Sequence, residues 1–252
     1  MPANVATRAF APTARISSSF RRRLKGKERK LQALAGYRSH VATSDAEIKR
    51  LLDWFFIIKP QRMAEQKLPN VFADPGVEEF VRDACMAQLA DGGRAIDIHA
   101  LECDEEVIAI FAGVADGFRF SMMFNTYTMS ANAKYSPGLI LMRDIIDHYA
   151  GQNYRAFDLG ITHFDLAKLI LESGRHVLVE KPLCDSSDKV ELLIEIAERR
   201  RLVLMVDHTF LYNPAVRCVR GIIDSGRLGN LLYFDSTRVN LGLFQRDVNV
   251  LW

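Results

Sequence analysis

The spacing of apolar positions changes along this chain, and each change marks a new kind of element. Leu24, Leu31 and Leu34 form one apolar stripe in an otherwise basic run, with Ser17, Ser18 and Ser19 offering N-cap hydroxyls, so a helix is predicted over 17–34. Ser44 begins SDAE, a capping box completed by Glu47, and Ile48, Leu51, Leu52, Phe55 and Phe56 follow at helical spacing. Pro75 and Gly76 open a further helix over 77–90, closed by Asp91-Gly92-Gly93. The period then shortens. Runs at 95–102, 106–114 and 118–128, separated by turns at Asp104-Glu105 and Asp116-Gly117, predict an antiparallel meander. Ser136-Pro137-Gly138 supplies an N-cap, a first-turn proline and a glycine permitting close backbone approach, ahead of an apolar-periodic helix over 139–149 that Gly151 ends.

Beyond residue 154 the pattern alternates between short buried-type strands and helices. Strands are predicted at 154–159, 175–180 and 202–206, with helices at 165–173, ended by Gly174, and from Ser186 or Ser187 to Arg200. Such βαβ units imply parallel strands joined by right-handed crossovers. The expected outcome is one sheet containing 156–159 and 177–179, crossed by the helix 165–173. The stretch 154–166, YRAFDLGITHFDL, separates the two patterns, and Phe-Asp-Leu occurs in it twice, at 157–159 and 164–166. It reads as a junction where two reading frames joined.

Composition narrows the class only a little. At 252 residues, with 49% apolar and 25% charged positions, the chain is long enough for one large domain or two small ones with a real core. A net charge of +2 gives no reason to expect nucleic acid, and the basic run FRRRLKGKERK reads as a solvated helix face rather than a phosphate or tRNA contact. Cys85, Cys103, Cys184 and Cys218 form no CxxC pair, so no metal site or disulfide framework is expected and a reducing cytoplasm fits. No apolar run approaches the ~18 residues of a membrane span, and the start lacks a secretory h-region. The acid-free stretch 1–20 reads as a disordered arm, chiefly 1–15, or as an organellar transit peptide.

Four phrases, 20–34, VFADP at 71–75, KYSPGL at 134–139 and FDLG at 157–160, fall in the order seen in FemAB-like proteins of the GNAT superfamily. The resemblance is to the group described as acetyltransferases of cellulose or polysaccharide biosynthesis, and it covers 16–160. It implies an acetyl-CoA or other acyl-CoA donor, an amine or sugar acceptor, and a cofactor turn built from Lys134, Ser136 and Gly138. The physical basis of such a turn is a helix N-terminus, whose free N–H groups and positive dipole end attract a pyrophosphate. The usual acyl-CoA loop carries two glycines; here Gly138 stands alone. His99 reads as a packed or surface histidine, Asp158 and Tyr135 as family-like positions without an assignable role, and no general base is named.

The phrases THFDLA at 162–167, GRHVLVEKP at 174–182, DHTFLYNP at 207–214 and NLGLFQRDVNVLW at 240–252 resemble Gfo/Idh/MocA oxidoreductases acting on sugars or nucleotide sugars. This resemblance covers 161–252 and implies NAD(P), with Lys181 as the catalytic lysine, Glu180 and Pro182 on the cofactor side, and His208 and Tyr212 toward the substrate. A lysine in such a place, with its pKa lowered, helps move the substrate proton as hydride leaves. No GxGxxG loop occurs anywhere in the chain, and Trp252 precedes the family's Asp/His pair, so an incomplete NAD(P) site is expected. The fold expected is an α+β GNAT-like unit followed by an α/β, Rossmann-like fragment, with uncovered strand edges that favour homo-oligomers. Three functions stay open: acyl transfer to a small molecule, NAD(P)-dependent oxidation of a sugar, and a non-catalytic product of gene fusion.

Overall fold

A computed structural model describes residues 18–237, apart from 91, 161 and 162; the phrase 240–252 and the arm 1–15 lie outside the described residues. The elements run α1 (Ser18–Leu31), β1 (Arg38–Val41), α2 (Asp45–Glu65), α3 (Val77–Met86), β2 (Asp97–Glu102), β3 (Val107–Ala115), β4 (Arg119–Tyr127) and α4 (Pro137–Gly151). They continue with β5 (Ala156–Asp158), α5 (Phe164–Glu172), β6 (His176–Val179), α6 (Ser187–Arg200), β7 (Leu204–Val206) and α7 (Pro214–Asp224). The chain divides into two compact units, one ending at Asp207 and one beginning at His208. The first is a mixed α/β unit; the second contains a 3-10 turn, Thr209–Tyr212, and α7, whose first turn Asn213 caps by accepting the Ala215 N–H.

All strands of the first unit form one sheet in chain order, β1 to β7. The pairs β1–β2, β2–β3 and β3–β4 are antiparallel, and β4–β5, β5–β6 and β6–β7 are parallel. The predicted meander is therefore present, and the parallel strands around 154–206 extend the same sheet. As expected, β5 and β6 pair directly, Ala156 with His176 through Asp158 with Leu178. The helix between them is α5, whose first turn is capped by His163 Nδ1, accepting the Leu166 N–H at 3.4 Å.

Two apolar layers clamp the sheet. On one face Ile48, Leu51, Leu52 and Phe55 of α2 and Val81 and Cys85 of α3 pack on Ile98, Ala100, Ile110, Ala112 and Phe124. The capping box that starts α2 is formed: Ser44 Oγ accepts the Glu47 N–H at 3.3 Å, and Glu47 accepts the Thr43 N–H at 3.1 Å. On the other face α1, α4, α5 and α6 contribute Leu24, Ile145, Leu169 and Ile196 to a continuous core with Phe111, Phe120, Phe157 and Val177. That core runs unbroken through the junction. Arg175 ties it at the amino ends of the strands: its guanidinium donates to the carbonyls of Ala150, Tyr154 and Ser173.

Some elements depart from expectation. The third helix ends at Met86 rather than 90, because Arg94 donates to the Met86 carbonyl at 2.8 Å and 94–95 pair back on 87–88, Ala95 N–H bonding Ala87 O at 3.0 Å. β1 was not anticipated; it is four residues long and half-exposed, too short to show alternation. Among the described residues α5 and α6 cover β5–β7 on one face only, while Phe118, Val203 and Met205 on the other line an open depression of ≈ 400 Å³.

Gly113 lies opposite Met122 at the bulge, where β4 carries one extra residue, Met123. A Cβ there falls 2.5 Å from both the Ser121 carbonyl oxygen and the Phe120 ring. Because a backbone oxygen cannot step aside, Gly113→Ala is expected to destabilise the first unit by about 2 kcal/mol or more, measured by denaturant melts. An unchanged midpoint would contradict the close approach.

Candidate functional site

The parallel half of the sheet sends every strand's carboxyl end to one edge, and three of the strands are followed there by a helix N-terminus: α4 after β4, α5 after β5, α6 after β6. This is the edge at which open α/β sheets hold ligands. The β4–α4 connection is its most elaborated part. Glu106, in the turn between β2 and β3, accepts from Thr128 Oγ1 at 2.9 Å, from Ser130 Oγ at 3.0 Å and from the Asn132 amide, so one carboxylate fixes three loop residues. Ser136 then takes the left-handed conformation, φ 56°, unusual for a residue with a Cβ. Its hydroxyl accepts from Lys27 Nζ of α1 at 2.6 Å, and its carbonyl accepts the N–H groups of Leu139 and Ile140. Gly138 lies against Tyr127 and Phe111, where an added Cβ would make ordinary contacts of 3.7 and 3.8 Å. Lys134 is exposed, 5.2 Å from the Tyr135 ring centroid. Lys134, Ser136 and Gly138 are thus gathered at the start of α4.

β4 and β5 part company above this turn. Their ladder covers only Arg119–Ser121 against Ala156–Asp158. Thr128 N–H bonds the Ile108 carbonyl at 2.8 Å on the β3 side, so by the alternation of an antiparallel pair Asn125 and Tyr127 turn their N–H and C=O groups the other way. Among the described residues no strand pairs with that stretch on the β5 side. Two side chains of α2 reach over it instead: Lys59 Nζ donates to the Asn125 carbonyl at 3.0 Å, and the Arg62 guanidinium lies 3.4 Å over the Tyr127 ring. Neither residue carries a sequence signal, since both look like ordinary polar positions of an amphipathic helix and their partners lie more than sixty positions away.

The second set of predicted residues is only partly gathered. Glu180, Lys181 and Pro182 follow β6 at the same carboxyl edge; Lys181 is exposed, and the Lys181–Pro182 peptide is cis. His208 and Tyr212 belong to the second unit, where both are exposed and Arg217 lies 5.6 Å from the Tyr212 ring centroid. Asp158 accepts the Gly160 N–H at 3.1 Å, which shapes the turn after β5.

Away from this edge the buried polar groups of the first unit include His99 and Glu102. His99 is packed, 4% exposed, with Nε2 2.9 Å from the Tyr149 hydroxyl, which in turn donates to Asp97 at 2.7 Å. Burial, with the neighbouring His148 and His40, pushes the His99 pKa down to about 3, and burial with Asp97 nearby pushes the Tyr149 phenol up. Glu102 is also buried; burial alone would raise its pKa, but hydrogen bonds from Arg50, Arg38 and His40 outweigh that and hold it at about 2. Its cluster with His40 and Glu47 brings ligand-type atoms within 4.8 Å of one another, yet Arg38 and Arg50 already engage the Glu102 oxygens, which makes it an ion-pair network.

Together these features define a mixed α/β protein in which a splayed β4–β5 pair and a glycine-bearing helix start face one ligand edge. The chain belongs to the acetyltransferase (GNAT) domain family, whose model matches residues 18–166, more than half of its length. Residues 155–208 also match the oxidoreductase family with an NAD-binding Rossmann fold. The chain is 35% identical over 74 residues to a dTDP-3,4-didehydro-2,6-dideoxy-alpha-D-glucose 3-reductase of Actinomadura kijaniata, which is 29% of this chain and 22% of that protein. It is 36% identical over 75 residues to the uncharacterized oxidoreductase YdgJ of Escherichia coli, 30% of this chain and 22% of that one. A UDP-N-acetylglucosamine 3-dehydrogenase of Acidithiobacillus ferrooxidans is 36% identical over 59 residues, 23% of this chain and 19% of that one. The chain thus spans about a fifth of the length of these curated relatives. No helix among the described residues is long and apolar enough to cross a membrane.

The two groups act in overlapping pH windows, with His99 acting alone between 6.5 and 4.5. As pH falls below 6.5 the unfolded chain protonates its His99, while the native chain resists until about pH 3. Stability therefore drops across that window, by up to about 1.4 kcal/mol per pH unit. The Glu102 carboxylate contributes stability above pH 4.5 that is lost as pH falls toward about 2. His99→Gln is expected to flatten Tm against pH between 6.5 and 4.5, and Glu102→Gln to flatten it only below 4.5; equal slopes in all three proteins would rule the assignment out.

Proposed function

We propose that the GNAT-like unit binds an acyl-CoA and transfers its acyl group to an amine on a small molecule. The observation that carries this reading is the open stretch of β4 followed, through a loop braced by Glu106, by the α4 N-terminus. An open strand edge pairs with any extended chain of amides, and the pantetheine arm of coenzyme A is such a chain. With the arm along Asn125 and Tyr127, the pyrophosphate meets the first turn of α4, with Lys134 and Lys27 adding positive charge. The attacking amine forms the new C–N bond as the thioester C–S bond breaks, and its proton leaves with the thiol. Placement of amine and thioester supplies much of the rate for such a transfer, which agrees with a cleft that holds no buried ionisable pair among the described residues.

The second reading is NAD(P)-dependent oxidation or reduction of a sugar or nucleotide sugar. It is favoured by Lys181 at the carboxyl end of a parallel strand and by the named activities of the relatives. Acyl transfer ranks above it because the sequence has no GxGxxG loop to hold a dinucleotide pyrophosphate. A non-catalytic fusion product is the third reading.

Thermal melts of the full chain with acetyl-CoA and with NAD separate the three, since a ligand stabilises only a fold that binds it. Acetyl-CoA alone is expected to raise Tm; a shift with NAD alone would replace this proposal by the second, and a cooperative melt indifferent to both by the third. Gly138→Ala should weaken acetyl-CoA about tenfold, roughly 1.4 kcal/mol, without lowering Tm, because its methyl fits the protein side and intrudes only on a ligand. Unchanged affinity would remove Gly138 from the site.

A further inference from the structure

Lys59 is out of place for a helix-surface lysine. Such side chains normally run along the surface and leave the ammonium in water. Lys59 instead turns inward, half-buried, with Nζ 5.9 Å from the Phe72 ring centroid and 3.0 Å from the Asn125 carbonyl oxygen. Burial first, then the neighbouring Arg62 charge, pulls its pKa below that of an ordinary lysine, so the position is electrostatically unfavourable. What offsets that cost is the carbonyl it caps, an edge acceptor that no strand of the described sheet takes.

Resting on the acyl-CoA reading, we infer that Lys59 is a positioning residue of the cleft that competes with the pantetheine arm for the Asn125 carbonyl and leaves it when the arm binds. The arm lays down a secondary amide where the ammonium was, and one N–H···O bond replaces another. The exchange makes the cleft selective. A donor whose arm carries an amide N–H displaces Lys59 at little net cost, whereas a ligand without one leaves the carbonyl to the lysine. Arg62 is not displaced in the same way, because it stacks on the Tyr127 ring and does not cap a backbone group.

Calorimetric titration of the full chain tests this, with acetyl-CoA and with adenosine 3′,5′-bisphosphate, which has the phosphates and no arm. Removing the competitor in Lys59→Met should tighten acetyl-CoA about fivefold, the equivalent of one net hydrogen bond. Lys59→Arg, which keeps a cationic donor, should restore wild-type affinity. The bisphosphate should bind Lys59→Met no more tightly than wild type. Acetyl-CoA affinity that is unchanged or weaker in Lys59→Met, or an equal gain for the bisphosphate, overturns the inference while leaving the acyl-CoA reading intact. Absence of acetyl-CoA binding by the wild-type chain overturns both. Matching Tm values for the variants ensure that the comparison is made between folded proteins.

Discussion

Three rungs of parallel ladder, Arg119–Ser121 against Ala156–Asp158, join everything in the first unit. On one side of them lie the antiparallel strands β1–β4; on the other lie the parallel strands β5–β7, which pair with one another and join the antiparallel strands through this contact. The ladder is short, so the connection depends on what surrounds it. Phe120 and Phe157 bring adjacent rings into the same core, 6.5 Å between centroids, and Tyr149 stacks on Phe120 at 4.6 Å. Arg175 supplies the polar counterpart by gathering carbonyls from the end of α4, the lead into β5 and the end of α5. A guanidinium presents its donors in a fixed fork, which suits it to holding three chain ends at once. Residues that resemble two different families therefore share one core and one clamp.

The same shortness creates the cleft. Had the β4–β5 ladder continued, Asn125 and Tyr127 would have spent their backbone groups on a neighbouring strand. Because it stops at Ser121, the rest of β4 keeps an edge inside the molecule, directed at the start of α4. Glu106 braces the intervening loop from the neighbouring β2–β3 turn, and α2 leans Lys59 and Arg62 over the gap. Sheet edges are normally covered or charged to prevent wrong pairing, and a lysine over this one serves that end as well.

Much of this was legible in the sequence, where local rules decide the outcome. The capping box at Ser44, the glycine and proline at the start of α4, the meander and the alternation after residue 154 each follow from a few adjacent residues, and the structure contains them all. Lys134, Ser136 and Gly138 fell together because they are neighbours in the chain. What stayed hidden depends on tertiary partners. β1 has no alternation to reveal it, and α3 stops early because Arg94, well beyond it, takes the Met86 carbonyl. Lys59, Lys27 and Glu106 gain their meaning from Asn125, Ser136 and a loop that only the fold brings near them. Which activity the edge performs was not legible either, because helix starts beside parallel strands accept phosphates of several kinds.

Strand order in the sheet is identical to order in the chain. Every strand can therefore pair with its predecessor as soon as it is made, and no early strand has to wait for a late one to fill a gap between them. Apart from the step from β1 to β2, which spans α2 and α3, these closures are local, which favours fast folding. On a ribosome the sheet can grow by accretion, each new βα step docking on a finished edge. A chain assembled that way accepts an added piece from another gene more readily than one whose first and last strands must meet.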